Sequence, residues 1–73
     1  MSNESIGARI RRLRKERGLR IVDLAKLVHS NETTIQQLER GTHATNMFTF
    51  IEIARALGVS LDYLAYGTIT VTV

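Results

Sequence analysis

The sequence predicts an all-α domain of five short helices, followed by a short tail of different character. Apolar residues recur every three or four positions along most of the chain, which is the period of an amphipathic helix. Proline is absent, and most of the five glycines stand where this period breaks, as they do at helix ends. We therefore expect one compact domain over residues 1–67 and a tail over residues 68–73.

The first predicted helix covers about residues 5–17. Ile6, Ile10 and Leu13 are spaced i, i+4, i+7 and form one apolar stripe, whereas most of the remaining positions are polar or charged. Gly18 then ends the helix. We expect this helix to bury the stripe.

The second and third helices are predicted over residues 21–28 and 32–39, with a turn of three or four residues between them. Arg20 stands at the N-cap of helix 2 and has no side-chain acceptor, so this helix is expected to start weakly, whereas Asn31 is a good N-cap for helix 3. The residues expected to be buried are Leu24, Leu27, Val28, Ile35 and Leu38.

The fourth and fifth helices are predicted over residues 47–57 and 61–66. Asn46 and Ser60 are suitable N-caps for them. The residues of helix 4 expected to face inward are Met47, Phe50, Ile51, Ala54 and Leu57.

The tail, residues 68–73, alternates threonine with isoleucine or valine, which is the pattern of a β-strand. A lone strand is not stable. The tail either pairs with the tail of a second subunit, docks on the helices, or stays loose.

Composition excludes several classes of protein. Cysteine is absent and there are two histidines, so we expect no disulfide, no metal and no other cofactor. No apolar run approaches the roughly 20 residues that span a bilayer, and the first residues do not resemble a signal peptide. The prediction is a soluble cytoplasmic protein, in a bacterial cell or a phage-infected host, with no membrane association.

Charge is distributed unevenly along the chain. The formal net charge is +3, but residues 1–20 carry about +5 and the remainder about −2. A basic cluster on one element suggests a polyanionic partner. The alternative is an ordinary solvated helix face.

The segment most informative about function is Ile21 to Leu38, which has the form of a helix-turn-helix. Ala25 is small enough for the two helices to cross closely, and Ile35 would anchor the second helix on the first. Amide and carboxylate side chains on such a helix can read base edges in the major groove. The outward candidates are Glu32, Thr33, Gln36 and Gln37, although any surface helix shows polar residues opposite its apolar stripe.

Three stretches resemble the Cro and cI type repressor domains of lambdoid phages and related bacterial regulators. They are IGARIRRLRKERGL (6–19), DLAKLVHSNETTIQQLERG (23–41) and FIEIARALGVSLDYL (50–64). The resemblance, over residues 6 to about 67, implies a domain that binds a palindromic operator as a homodimer, with helix 3 in the major groove. It also implies a structural ion pair between Arg14 and Glu39. The implied phosphate contacts are Arg20, Asn31, Arg40, Thr42 and His43. The implied dimer contacts are Leu61, Tyr63, Leu64, Tyr66, Ile69 and Val71.

The chain departs from the family pattern in three places. Ile21 replaces the usual phosphate-binding glutamine, so Arg20 is expected to take over that role. His29 replaces a glycine in the turn and must adopt a left-handed conformation at some cost. The segment 42–46 offers only His43 as a cation, so we expect weak binding by a monomer and reliance on a dimer.

The leading hypothesis is therefore a DNA-binding transcriptional regulator, most simply a repressor. The alternative is a protein-binding module of the same fold, of antitoxin or antirepressor type. We expect no enzymatic activity and no small-molecule ligand, because the sequence lacks a cysteine nucleophile, a glycine-rich phosphate loop and histidines at helical spacing.

Overall fold

A computed structural model describes residues 4–41 and 45–67. Within these ranges the protein consists of five α-helices and no strand, so the predicted helical class is confirmed. The predicted strand at residues 68–73 lies outside the described residues. The helices are α1 (Ile6–Glu16), α2 (Ile21–Leu27), α3 (Glu32–Arg40), α4 (Met47–Leu57) and α5 (Leu61–Tyr66).

The side chain of the N-cap residue caps four of the five described helices. The Asn31 side chain accepts a hydrogen bond from the Thr34 amide at 2.8 Å, so the predicted cap of α3 is confirmed. Asn46 and Ser60 cap α4 and α5 in the same way, also as predicted. Ser5 caps α1, at 3.1 Å from the Ala8 amide nitrogen.

Helix α2 is capped differently, and its predicted weak start is wrong in part. Arg20 supplies no acceptor, but the Asp23 carboxylate reaches back and accepts a hydrogen bond from the Arg20 amide at 2.8 Å. The same carboxylate lies in the first turn, where it interacts favourably with the helix dipole.

The core lies between the five helices. Helix α1 packs on α3 and α5, α2 packs on α3 and α4, and α4 packs on α5. The buried hydrophobic residues of the core are Ile10, Leu13, Leu24, Ala25, Val28, Ile35, Leu38, Ile53, Ala54, Leu57 and Leu64.

Three predicted core residues are exposed instead. Leu27 is 51% exposed because it ends the seven-residue α2, and Val28, the next residue, is the one that turns inward. Met47, the first residue of α4, is 66% exposed, whereas Ala54 and Leu57 are buried as predicted, together with Ile53, which was not predicted. Ile6 is likewise exposed, at the first position of α1.

Gly7 is the second residue of α1, where it allows α1 and α3 to approach closely. A Cβ atom at this position would lie 2.7 Å from the Glu39 carbonyl oxygen and nearer still to that of Leu38. The absence of a side chain at Gly7 therefore sets the distance between α1 and the end of α3.

Candidate nucleic-acid interface

The basic residues of α1, expected as a polyanion-binding cluster, are used largely inside the protein. Arg9 is buried and donates to the Leu64 carbonyl at 2.8 Å, next to the end of α5. Arg17, which follows α1, donates to the Leu57 carbonyl at the end of α4, at 2.7 Å. These guanidinium groups satisfy carbonyl oxygens that have no partner inside their own helices.

Arg12 connects three parts of the chain. Its guanidinium donates to the Glu4 carboxylate at 2.8 Å and to the Tyr63 hydroxyl at 3.0 Å. It also pairs with Glu16, one turn along α1. Hydrogen bonding by Arg12 lowers the pKa of the Glu4 carboxyl below its ordinary value of 4.5, and the bond to Glu4 raises the pKa of Arg12.

Arg14 and Glu39, the pair implied by the resemblance, lie in contact. The guanidinium donates to both carboxylate oxygens, at 2.7 and 3.1 Å, and the two side chains are only 8% and 6% exposed. Arg14 also donates to the Leu19 carbonyl at 2.9 Å. This arrangement attaches the end of α3 to α1 and leaves neither charge available to a partner.

Helices α2 and α3 form a tight helix-turn-helix. Ala25 is buried, and its carbonyl accepts a hydrogen bond from the Ser30 amide at 2.8 Å, which closes the turn. His29 has φ of 56°, so the expected left-handed conformation is confirmed. The turn therefore keeps the geometry that glycine adopts more freely, at the expense of some strain.

The outer face of α3 is exposed and polar. Ile35 and Leu38 are buried and hold the helix on the core. The four predicted reading residues, Glu32, Thr33, Gln36 and Gln37, are all exposed. The structure therefore brings these four side chains together on one accessible surface.

The expected phosphate-binding residues differ in how available they are. Arg20 is 77% exposed, but its guanidinium donates to both oxygens of Asp23 at 3.1 Å. These hydrogen bonds lower the pKa of Asp23 and raise that of Arg20. Arg40 is exposed at the end of α3, and Asn31 is exposed at its start, where its side-chain oxygen serves the cap. The two remaining candidates, Thr42 and His43, lie outside the described residues.

Sequence reasoning missed one residue near this surface, Arg11. It lines a groove together with Ile21, Gln36, Glu39 and Arg40, on three different helices. A signal was present, because Arg11 is four residues after Gly7, and positions at this spacing share a helix face. That face of α1 is turned toward α3.

The residues predicted to make dimer contacts differ in whether their side chains are exposed. Leu64 is fully buried, so its assignment to a subunit interface is wrong: it is a core residue of α5. Tyr63 is half-buried, with its hydroxyl bound to Arg12. Leu61 and Tyr66 are exposed, the latter at 71%. Ile69 and Val71 lie outside the described residues.

The described part of the chain contains neither a metal-binding cluster nor a membrane-spanning helix. No three histidine, cysteine, aspartate or glutamate side chains in residues 4–41 and 45–67 are grouped to hold a metal ion. No helix in these ranges is both long and apolar enough to cross a bilayer.

Comparison with known proteins gives concordant matches. The P22 c2 repressor in complex with the synthetic operator 9T is 33% identical, with a TM-score of 0.86, and the match covers 90% of this chain and 100% of that chain. The restriction-modification controller protein C.AhdI from Aeromonas hydrophila is 29% identical, with a TM-score of 0.77 and coverage of 81% and 89%.

A third match is SinR of Bacillus subtilis, described as the master regulator for biofilm formation, in complex with DNA. It is 27% identical, with a TM-score of 0.76, over 81% of this chain and 95% of that chain. The sequence profile of the helix-turn-helix family matches residues 10–64, which is most of the chain. The chain belongs to the helix-turn-helix family.

Proposed function

We propose that this chain is a transcriptional regulator, most simply a repressor, that binds operator DNA with α3 in the major groove. The observation that carries the proposal is the exposed polar face of α3, whose opposite face is buried and whose end is attached to α1 by the Arg14–Glu39 pair. A helix of this width fits the major groove, and rigid attachment presents its side chains in one geometry. The P22 c2 repressor and SinR, which share the fold, were both solved with DNA.

The chemistry of the four exposed side chains suits base recognition. The amides of Gln36 and Gln37 can donate to and accept from adenine, and the Glu32 carboxylate can accept from the amino group of cytosine. The Thr33 methyl group can contact the methyl group of thymine. No lysine or arginine lies among these four positions, so the preferred half-site depends on amide, carboxylate and methyl contacts.

A two-fold dimer on a palindromic site completes the proposal. Leu61 and Tyr66 are exposed apolar residues of α5 and are the described candidates for the subunit contact. A dimer doubles the number of contacts with the DNA backbone. This compensates for the small number of available cations beside α3 in residues 4–41 and 45–67. The operator DNA that the dimer binds lies in the cytoplasm of a bacterial cell.

The test is selection of bound sites from a random DNA library by the full chain. We expect enrichment of one short palindrome, whose half-sites lie about one helical turn apart. Affinity for that site should fall steeply as salt is added. Absence of an enriched sequence, or affinity that does not respond to salt, would favour the alternative of a protein-binding module.

Gln37→Ala tests the reading face directly. Loss of a bidentate contact to a base should cost about 1–3 kcal/mol on the selected operator, while binding to a duplex of unrelated sequence stays nearly unchanged. Fluorescence anisotropy titrations with both duplexes measure the two effects, and thermal unfolding of the variant serves as the folding control. Equal losses on both duplexes would contradict a role in reading sequence.

A further inference from the structure

We propose that Arg11 is a phosphate-binding residue, and that the groove it shares with Arg40 receives one phosphodiester group of the DNA backbone. This inference rests on the proposed function, because it specifies how α1 takes part in binding the same DNA. It assigns to Arg11 a ligand class, a phosphate monoanion in a nucleic-acid backbone.

The Arg11 guanidinium is available to a partner. Five of the seven basic side chains in residues 1–20 make ion pairs or hydrogen bonds within the protein, namely Arg9, Arg12, Arg14, Arg17 and Arg20. Within residues 4–41 and 45–67, Arg11 and Lys15 show no such bond. Both are exposed, and Arg11 is the one that lines the groove.

The groove has a composition that suits a phosphate group. Arg11 comes from α1, Ile21 from the start of α2, and Arg40 from the end of α3, so three packed helices hold its walls. Ile21 is half-buried, and its side chain supplies an apolar surface without a hydrogen-bond donor. Two arginines therefore provide the charge, and a guanidinium group matches phosphate oxygens with parallel donors.

The acidic residue in the groove does not oppose this assignment. Glu39 also lines the groove, but both oxygens of its carboxylate accept hydrogen bonds from Arg14. Its charge is compensated by a guanidinium at 2.7 Å. An incoming phosphate therefore meets the positive charge of two exposed arginines beside a neutralised pair.

The groove adjoins the exposed face of α3. Gln36 belongs both to the exposed face of α3 and to the lining of the groove, so the two surfaces are continuous. When a helix enters the major groove, the sugar-phosphate backbone passes alongside it. The backbone strand next to Gln36 is thus brought to Arg11 and Arg40.

The experiment compares wild type, Arg11→Gln and Arg11→Lys, with Arg55→Gln as the matched control. Arg55 is an exposed arginine of α4 that does not line the groove. Dissociation constants for the selected operator and for an unrelated duplex are measured by anisotropy at several KCl concentrations. Thermal unfolding of each variant verifies that the exposed substitutions leave the fold intact.

We expect Arg11→Gln to weaken binding to both duplexes alike, and to reduce the slope of log K against log salt by about 0.9 for each subunit bound. Arg11→Lys should restore the slope, because it keeps the charge. Arg55→Gln should match wild type. An Arg11→Gln variant with the wild-type slope would overturn the inference while leaving the proposed function intact.

Neutralising single phosphates locates the contact. Operators carrying one methylphosphonate at successive backbone positions are titrated with wild type and with Arg11→Gln. We expect one position in each half-site where the neutral group weakens wild-type binding but not binding by the variant. If every position weakens the two proteins equally, Arg11 makes no phosphate contact. If the wild type binds no duplex in a salt-dependent way, the proposed function and this inference both fail.

Discussion

Helices α1 and α3 are both amphipathic and both polar on one side, yet they use their polar residues in opposite ways. Arginines in and just after α1 bond to carbonyls and carboxylates of other elements, as Arg9 does with Leu64 and Arg17 with Leu57. The exposed side chains of α3 carry little charge and lie outside the core. The more basic helix is thus the scaffold, and the nearly uncharged one is the candidate reader.

This difference shows that the net charge of a segment does not tell how many of its cations are available to a partner. A guanidinium group has five donors and a long stem, so it can satisfy helix-end carbonyls that would otherwise be left without a partner. Arginines that bond within the protein in this way contribute to its stability and to the placement of neighbouring helices. The cations left for DNA must be identified one side chain at a time.

The largest effect on the free energy of unfolding is expected from breaking the Arg14–Glu39 ion pair between α1 and α3. Glu39→Ala leaves the buried Arg14 guanidinium without its carboxylate and should lower the free energy of unfolding by about 3–5 kcal/mol. Urea unfolding followed by circular dichroism measures the loss. The comparison variant is Glu32→Ala, on the exposed face of the same helix, for which we expect about 1 kcal/mol or less. Similar losses in the two variants would remove the distinction between the inner and outer faces of α3.

The close approach of α1 to α3 can be tested at Gly7. In Gly7→Ala the new methyl group would overlap the carbonyl oxygens of Leu38 and Glu39, so the helices must separate. We expect the free energy of unfolding to fall by about 1–3 kcal/mol, although alanine is the better helix former. Ala8→Ser, at the exposed neighbouring position, is the control and should change stability by about 0.5 kcal/mol or less. Unchanged stability of Gly7→Ala would show that the approach is not tight.

The smallest effect on the free energy of unfolding is expected from acidification, which breaks the ion pair between Glu4 and Arg12. The pKa of Glu4 is lowered in the folded protein, so its contribution to stability is complete above its ordinary value of 4.5 and is lost as the pH falls through the lowered pKa. The wild type should therefore lose stability as the pH falls below about 4.5, measured by urea unfolding. Glu4→Gln should lose less over this range, and an identical loss would show that the Glu4–Arg12 bond does not persist in solution.

Local signals in the sequence predicted most of the fold. The caps at Asn31, Asn46 and Ser60 and the left-handed His29 depend on neighbours within a few residues, so the chain order reveals them. Errors arose where burial depends on which face a distant element covers, as for Leu27 and Met47.

The site was predictable to a similar degree. The outward residues of α3 follow from the helical period, because Ile35 and Leu38 define its inner face. The roles of the arginines could not be predicted in this way. Arg9 bonds to a carbonyl 55 positions away, a contact that the local sequence does not reveal.

The attachment of α3 by Ile35, Leu38 and Glu39 has a consequence for how this domain can change over time. The residues that hold the helix and the residues that would meet the bases are different members of the same nine-residue element. Under the proposed function, exchange of Glu32, Thr33, Gln36 or Gln37 would alter the preferred DNA sequence while the anchoring contacts persist. Descendants of this domain would then acquire new target sequences by substitution without passing through unstable intermediates.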